Sequence, residues 1–364
     1  MTGTPTIAEP VIDWPAPVRR GIFHFKTDPP FTNEMLRGLR ARAEREAGER
    51  TAAVEKLAAA AGFPCKAELC AVGTYHVVHR LRRADAPPLM VRSAVGGLFT
   101  EDRSLLLDGW ARAWLAAGGR ERLVPRTMTV RFESDGVPFD FSIMEEARGG
   151  LLRDEMLDED PTILREIGAA LRLVHDVAGD GAGLLDLSSR ATPASPQGVH
   201  ARWSDAVLLN LDAHVATCRA AGFVDAAIAD KIGALFRTMH RAFQDRPMRL
   251  LHGDPGTHNI AIDRAGGKVT ALLDWEDALV GDPLFDVAMW STFHPPRRLP
   301  GFMAGYGLET PSDDVQRLIA AYFLRIALSK TVHRFRFGIA DRPGRTPGHQ
   351  RIHRGVDELE RLLR

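Results

Sequence analysis

The segment from His252 to Asp286 constrains this chain more than any other. It reads His252-Gly-Asp254-Pro-Gly-Thr-His-Asn259, then Asp274-Trp-Glu-Asp, then Gly281-Asp-Pro283 with Asp286. A short, mostly apolar run at 248–251 delivers His252 to a loop. Residues 259–263 are strand-like, Arg264-Ala-Gly-Gly267 is a turn signal, and 269–273 is a second apolar strand. Together they predict a hairpin whose first strand begins at Asn259 and whose second ends at Asp274. An amide and a carboxylate thus come to the same end of one ribbon. Oxygen ligands there suit Mg²⁺, which prefers carboxylates, waters and substrate phosphates to nitrogen or sulfur. Asp254, five residues before Asn259, adds a second carboxylate. Phosphoryl transfer asks for little more: one carboxylate positions the attacking hydroxyl and accepts its proton, while an Asn and an Asp hold Mg²⁺. Any one Asp alone reads as a solvated loop residue; spaced positions in this order do not.

These residues resemble the signature of the aminoglycoside phosphotransferase and choline kinase-like families, which share a protein-kinase-like fold. Those families carry His-Gly-Asp-x-x-x-x-Asn, then Asp-Trp-Glu or similar, then Gly-Asp-Pro-x-x-Asp, and this chain has all three in order. The resemblance implies Asp254 as the catalytic base and Asn259 and Asp274 as Mg²⁺ ligands. It implies structural, loop-fixing roles for His252, Trp275, Asp282 and Asp286. It also implies an α+β fold of two lobes, with a small antiparallel-sheet N-lobe and a larger, mostly helical C-lobe.

Composition agrees with a soluble enzyme. At 364 residues the chain can build two lobes with separate cores. Lys+Arg and Asp+Glu are both 47, so no nucleic-acid footprint is present. Cys65, Cys70 and Cys218 make neither a disulfide framework nor a zinc site and are expected as free thiols. No apolar run is long enough to span a membrane and the start lacks a signal peptide, so the expected place is the cytoplasm, as a monomer or homodimer.

The expected organisation is an N-terminal extension with helix over 1–50, a nucleotide-binding N-lobe over 51–147 and a catalytic, substrate-binding C-lobe over 148–364. Residues 1–31 are rich in proline and lack periodicity. Residues 33–61 are helical in pattern, interrupted near Gly48. Residues 67–81 read as two strands around Gly73, 89–92 as a third, and 104–117 as a helix. Strands at 127–132 and 138–144 flank a hairpin turn at Ser134-Asp-Gly136. Gly149-Gly150 marks the crossing to the large lobe. There, 162–177 places Ile163, Ile167, Leu171 and Val174 on one helical face. Residues 188–198 read as a loop, and 203–220 and 224–243 as two helices. Thr310-Pro-Ser-Asp313 opens a helix that runs to about residue 337. Residues 341–348 read as a linker, and 351–364 as a final helix.

By the resemblance, the loop Val72-Gly-Thr-Tyr75 covers nucleotide phosphates, making Gly73 and Thr74 binding residues; an ordinary hairpin turn fits one glycine equally well. A kinase places Lys on its third strand, paired to Glu on the next helix. No lysine occurs between Lys66 and Lys231, and Arg92 stands in that place. The phase of the helix puts the acid at Asp108, with Glu101 as the fallback. A longer base with a shorter acid spans about the same gap, and guanidinium can fork onto carboxylate and phosphate. Backbone groups of about Glu145 and Ala147 match the hinge that meets a purine edge; ATP is the expected nucleotide and GTP is possible. His175, at a helix end, reads as structural.

The acceptor is a small-molecule hydroxyl, with an antibiotic such as an aminoglycoside, or another specialised metabolite, as first choice. A sugar, choline-like alcohol or amino-acid hydroxyl is the alternative, and a non-catalytic pseudokinase is a third reading. Carboxylates that could line an acceptor pocket are Asp205, Asp212, Glu276 and Asp277. Against a polycation, residues 330–364 carry nine Lys/Arg and four Asp/Glu.

Overall fold

A computed structural model describes residues 33–73, 76–95, 103–336 and 346–364. The expectations for 1–31, Thr74, Glu101 and 341–345 lie outside the described residues.

The small lobe opens with α1 (Asn33–Ala60). Ala43, Ala47, Arg50, Val54 and Ala58 are buried at spacings of three, four and seven, which is one helical face. The expected interruption at Gly48 does not occur. That stripe is anchored on both sides of Gly48, and a helical glycine costs only about 1 kcal/mol. The helix also runs through the boundary drawn between residues 50 and 51. Arg50 donates to the carbonyl of Val95 at 3.1 Å and lies 4.6 Å above the Phe139 ring, fastening the helix to the sheet.

The sheet follows: β1 (Lys66–Val72), β2 (His76–Arg82), β3 (Leu89–Ala94), then α2 (Leu107–Ala117), β4 (Thr127–Arg131) and β5 (Phe141–Glu145). Spatial order is β1-β2-β3-β5-β4, antiparallel throughout. The tight turn expected at 134–136 is a longer loop with a 3₁₀ turn. Asp140 and Asp135 accept the amides of Glu133 and Phe132, and Gly136 takes φ 82°. Leu81, Leu89, Val91, Phe141 and Ile143 face Val54 and Ala58 of α1. Trp110, Trp114 and Leu115 of α2 instead join the core of the large lobe, so α2 ties the lobes together.

The crossing is itself paired: β6 (Gly150–Leu151) hydrogen-bonds to a later strand. The large lobe continues with α3 (Met156–Glu159), α4 (Thr162–Val174), β7 (Ala182–Leu185), β8 (Gly198–His200), α5 (Trp203–Val207), α6 (Leu211–Ala220) and α7 (Ala226–Met239). Next come β9 (Arg249–Leu251), β10 (Ile260–Asp263), β11 (Lys268–Leu272) and β12 (Leu279–Gly281). The helices α8 (Leu284–Phe293), α9 (Leu299–Tyr306), α10 (Asp313–Arg336) and α11 (Gly348–Leu363) close the chain. Two small sheets, β11-β10-β6 and β8-β7-β12-β9, form the floor on which the functional loops stand.

Three of the helix boundaries that differ from expectation have a visible cause. The expected 203–220 helix breaks at Asn210, which takes φ 59°, a conformation Asn tolerates. Buried Arg325 of α10 covers the break, donating to the carbonyls of Val207 and Leu209. The helix α4 stops at Val174 with His175 as its cap, three residues short. The α10 cap is Ser312, whose Oγ accepts from Val315 N at 3.4 Å, rather than Thr310. The three cysteines are free thiols. Among the described residues no helix is long and apolar enough to cross a membrane.

Candidate active site

The loop after β9 is held from beneath by one buried carboxylate. Asp286, on the first turn of α8, accepts the amides of His252 at 2.6 Å and Gly253 at 3.0 Å. Its Oδ2 also meets His175 Nε2 at 3.1 Å, and Tyr306 OH meets His175 Nδ1 at 2.6 Å. The carboxylate takes the Nε2–H, which leaves Nδ1 to accept from the tyrosine. Gly253 takes φ 82°, and a Cβ there would overlap the carbonyl of Asp277, so the tight approach requires glycine.

His252 links the loop to the second strand of the hairpin. Its Nε2–H donates to Leu273 O at 2.9 Å, and Nδ1 accepts the Asp254 amide at 3.3 Å. The ring packs on Trp275 with centroids 4.7 Å apart. Burial lowers its pKa, which keeps it neutral and able to do both. Trp275 is buried and donates to Leu272 O at 3.0 Å. Asp282 does a parallel job one turn away. It accepts from Arg246 at 2.6 Å, Tyr322 OH at 2.8 Å and Leu284 N at 3.1 Å, fixing the start of α8 to α10.

Above this frame sits Asp254. Its Oδ2 lies 3.1 Å from His258 Nε2 and 3.3 Å from Asn259 Nδ2; its Oδ1 lies 3.4 Å from Lys330 Nζ. With its nitrogen turned to Asp254, the Asn259 side chain presents its amide oxygen on the other face. Leu273 N donates to Asn259 O at 2.7 Å, so β10 and β11 close side by side and Asp274 emerges next to Asn259. Asp274 takes φ 63°, and its side chain is two-fifths exposed. Non-glycine residues in that region cluster at functional sites.

Asp274 is also the point where the lobes meet. Arg92 of β3 reaches Asp108 of α2 at 2.9 Å and Asp274 at 2.7 Å with different guanidinium nitrogens. The second nitrogen also approaches His76 at 3.3 Å and Glu276 at 3.4 Å. The expected Arg92–Asp108 pair is therefore present, inside a larger cluster. Burial disfavours the Arg92 charge, but Asp274, Asp108 and Glu276 together outweigh it and raise the pKa. Desolvation and Glu276 push the Asp274 carboxyl above its ordinary value, with Arg92 pulling against them.

Two protein oxygens, an amide and a carboxylate, are what Mg²⁺ accepts when waters and phosphates fill the remaining positions. Asn259 and Asp274 fit that role. Among the described residues no group of three or more His, Cys, Asp or Glu is arranged to hold a metal unaided.

The remaining expected residues fall in different places. Gly73 closes β1, its amide donating to His76 O at 2.8 Å. The Glu145 amide is committed to Arg126 O at 2.9 Å, so a purine edge would meet that residue through its carbonyl; Ala147 lies half-buried just beyond. Of the four acceptor carboxylates, none stands open beside Asp254. Glu276 turns to Arg92 and to His76, 3.2 Å away, because those two side chains lie directly across the lobe junction. Asp277 is buried beneath the loop. Asp205 pairs with Arg202 at 3.0 Å at the start of α5, and Asp212 lines a surface cleft between α6 and α7. Lys330, His258 and Phe293 stand beside Asp254 without having been expected there. The signal for Lys330 was its rarity: it is one of six lysines, and it sits in an otherwise buried stretch of α10.

Residues 100–318 match the model of a family described as the phosphotransferase enzyme family. Over 152 residues the chain is 28% identical to a hygromycin-B 4-O-kinase from Escherichia coli; the stretch spans 41% of this chain and 42% of that relative. Among solved structures, an aminoglycoside phosphotransferase in ternary complex with AMP-PNP and hygromycin B aligns with a TM-score of 0.61 at 17% identity, over 85% of this chain and 98% of that one. A choline/ethanolamine kinase family protein from Mesorhizobium loti aligns at 0.57 and 17% identity, over 88% and 95% of the two chains. A macrolide 2'-phosphotransferase from Brachybacterium faecium aligns at 0.53 and 16% identity, over 85% and 98%. At these identities the likeness shows the fold, the two-lobed protein-kinase-like one.

Proposed function

The chain belongs to the phosphotransferase enzyme family, and from that premise we propose that it transfers the γ-phosphoryl group of ATP, or GTP, to a hydroxyl of a small molecule with Mg²⁺. The observation that carries the reading is the junction of three short segments. Asp254 touches Asn259, the Asn259 carbonyl receives Leu273 N, and Asp274 then reaches Arg92 of the other lobe. The side chains proposed as base, metal ligands and small-lobe cation are thus linked by one run of contacts.

In this mechanism Asp254 orients the acceptor hydroxyl and takes its proton as the bond to phosphorus forms. Asn259 and Asp274 would hold Mg²⁺, which when bound would supply charge neutralisation to the nucleotide phosphates. Arg92, braced by Asp108, holds Asp274 in place and would supply positive charge to the phosphates when nucleotide is bound. His252 and Asp286 fix the loop so that Asp254 needs no reorganisation. Transfer is direct, with no phosphoenzyme.

An antibiotic acceptor is the first choice, supported by the sequence likeness to an antibiotic kinase. One observation favours a second class. The Lys330 ammonium, 3.4 Å from the base, repels a polycation, so neutral sugars, nucleosides and amino alcohols are real alternatives. The test is ADP or GDP release by the purified protein with Mg²⁺ and a panel of hygromycin B, other aminoglycosides, macrolides, nucleosides, sugars and amino alcohols. Mass spectrometry reads the gain of one phosphoryl group on the acceptor. Nucleotide binding with silence across the panel would favour the pseudokinase reading.

A further inference from the structure

The catalytic loop of a phosphoryl-transfer site handles a large negative charge, yet residues 252–263 contain no lysine or arginine. The cation beside the base comes from elsewhere in the fold. Lys330, on α10, lies 76 residues from Asp254 and meets its Oδ1 at 3.4 Å. Its ammonium sits 3.5 Å over the centroid of the Phe293 ring, at the end of α8. That is a cation–π seat, which holds a lysine head in place without a second anion. The His258 ring packs edge-on against the same phenyl, 5.7 Å between centroids, and reaches Asp254 Oδ2 at 3.1 Å. Phe293 therefore positions two groups, one for each carboxylate oxygen. The Lys330 side chain is about one-tenth exposed and that of Asp254 about one-quarter.

We propose that Lys330 is a positioning residue for the reaction, holding the Asp254 carboxylate in the orientation that receives the acceptor hydroxyl. The assignment rests on the kinase reading above.

A lysine is costly to bury, and burial pushes the Lys330 ammonium down to about 8, with Asp254 opposing the shift. Stability alone does not account for keeping it, since buried ion pairs are often replaced by apolar side chains at no loss. At 3.4 Å the contact is longer than a charge-assisted bond at rest. It can shorten as charge moves at the base.

The test uses Lys330→Met, which keeps length and packing while removing the charge, alone and combined with Asp254→Asn. Rates are read on the slow hydrolysis of Mg-ATP, in which water takes the place of the acceptor, so no acceptor need be known. Lys330→Met should lower kcat about 100-fold, the scale for one preorganised polar group, while leaving the KM for ATP unchanged and the melting temperature no lower than that of wild type. Lys330→Arg should recover part of the rate. In the Asp254→Asn background, Lys330→Met should cost nothing further, because its effect passes through that carboxylate. Wild-type kcat in Lys330→Met, with Asp254→Asn inactive, overturns the assignment; so does a loss that multiplies with that of Asp254→Asn. If Lys330→Met does not fold, Lys330→Gln is read the same way. An active Asp254→Asn, or a wild-type protein without turnover both on Mg-ATP alone and across the acceptor panel, would instead remove the kinase reading itself.

Discussion

Replacing Asp286 by Asn tests the frame beneath the catalytic loop at nearly constant shape. The carboxylate is fully buried and accepts two loop amides, at 2.6 and 3.0 Å, and the His175 imidazole at 3.1 Å. A hydrogen bond to a charged group contributes about 1.5–3 kcal/mol, and a buried donor left unsatisfied costs about 1–3 kcal/mol. The amide of Asn keeps one acceptor oxygen. Its NH₂ must face either the Gly253 N–H, at the Oδ1 position, or both the His252 N–H and the imidazole N–H, at the Oδ2 position, so at least one bond becomes a donor–donor clash and the others lose charge assistance. The sum is about 3–5 kcal/mol, a large share of the ~5–15 kcal/mol typical of a folded domain. Equilibrium urea unfolding reads it as a lower midpoint at unchanged slope. Because the loop carries Asp254, kcat should fall as well, whereas the nucleotide KM, set at the Arg92 junction, should hold. Tyr306→Phe, which removes only the hydroxyl on His175, should cost about 1 kcal/mol. An Asp286→Asn protein within about 1 kcal/mol of wild type would refute the reasoning, since it would mean the two amides find other acceptors.

Three further perturbations follow from the same geometry. Arg92→Ala strands Asp108, Asp274 and Glu276 together and should destabilise the protein by about 3–5 kcal/mol and raise the nucleotide KM or lower kcat strongly; near wild-type kinetics would remove Arg92 from the site. Gly253→Ala should cost ~3 kcal/mol or more, because a Cβ at φ 82° meets backbone that cannot move aside; a melting temperature equal to wild type would contradict the close approach. Lys330 gives a pH signature of two opposite signs. With its pKa near 8, below the ordinary lysine value of 10.5, the unfolded state binds more protons between those limits, so this group's contribution to stability rises from pH 8 to 10.5. The same deprotonation removes the charge at Asp254, so kcat should fall as pH rises through about 8, and Lys330→Arg should move that limb to higher pH. Arg334 and Arg351 act on Lys330 in the same direction as burial; a kcat flat across this range would count against the positioning role.

What could be read in the sequence was what short range decides. Asn259 and Asp274 share a hairpin end because a four-residue turn allows little else. Arg92 and Asp108 pair because strand register and helix phase, sixteen residues apart, point them at each other. Features set by tertiary contact were not legible. Nothing local tells Glu276 to turn toward Arg92 and His76 rather than toward an acceptor, because both partners belong to the other lobe. The break at Asn210 depends on Arg325, more than a hundred residues away, which covers the freed carbonyls. The helix at Gly48 continues because the sheet beneath it holds both halves, a contribution that a window of helix propensity does not contain. Lys330 shows the same limit: its rarity marked it, but only the packing of α10 against Phe293 gives it a partner.

The proposed function stands or falls with Asp254 as the base of a phosphoryl transfer. The most direct measurement is acceptor-dependent ADP release by wild type and Asp254→Asn, with nucleotide affinity measured in parallel by titration calorimetry. The variant should bind nucleotide with Mg²⁺ as wild type does and lose about 10²–10⁴-fold in kcat. Turnover at the wild-type rate in Asp254→Asn would contradict that role.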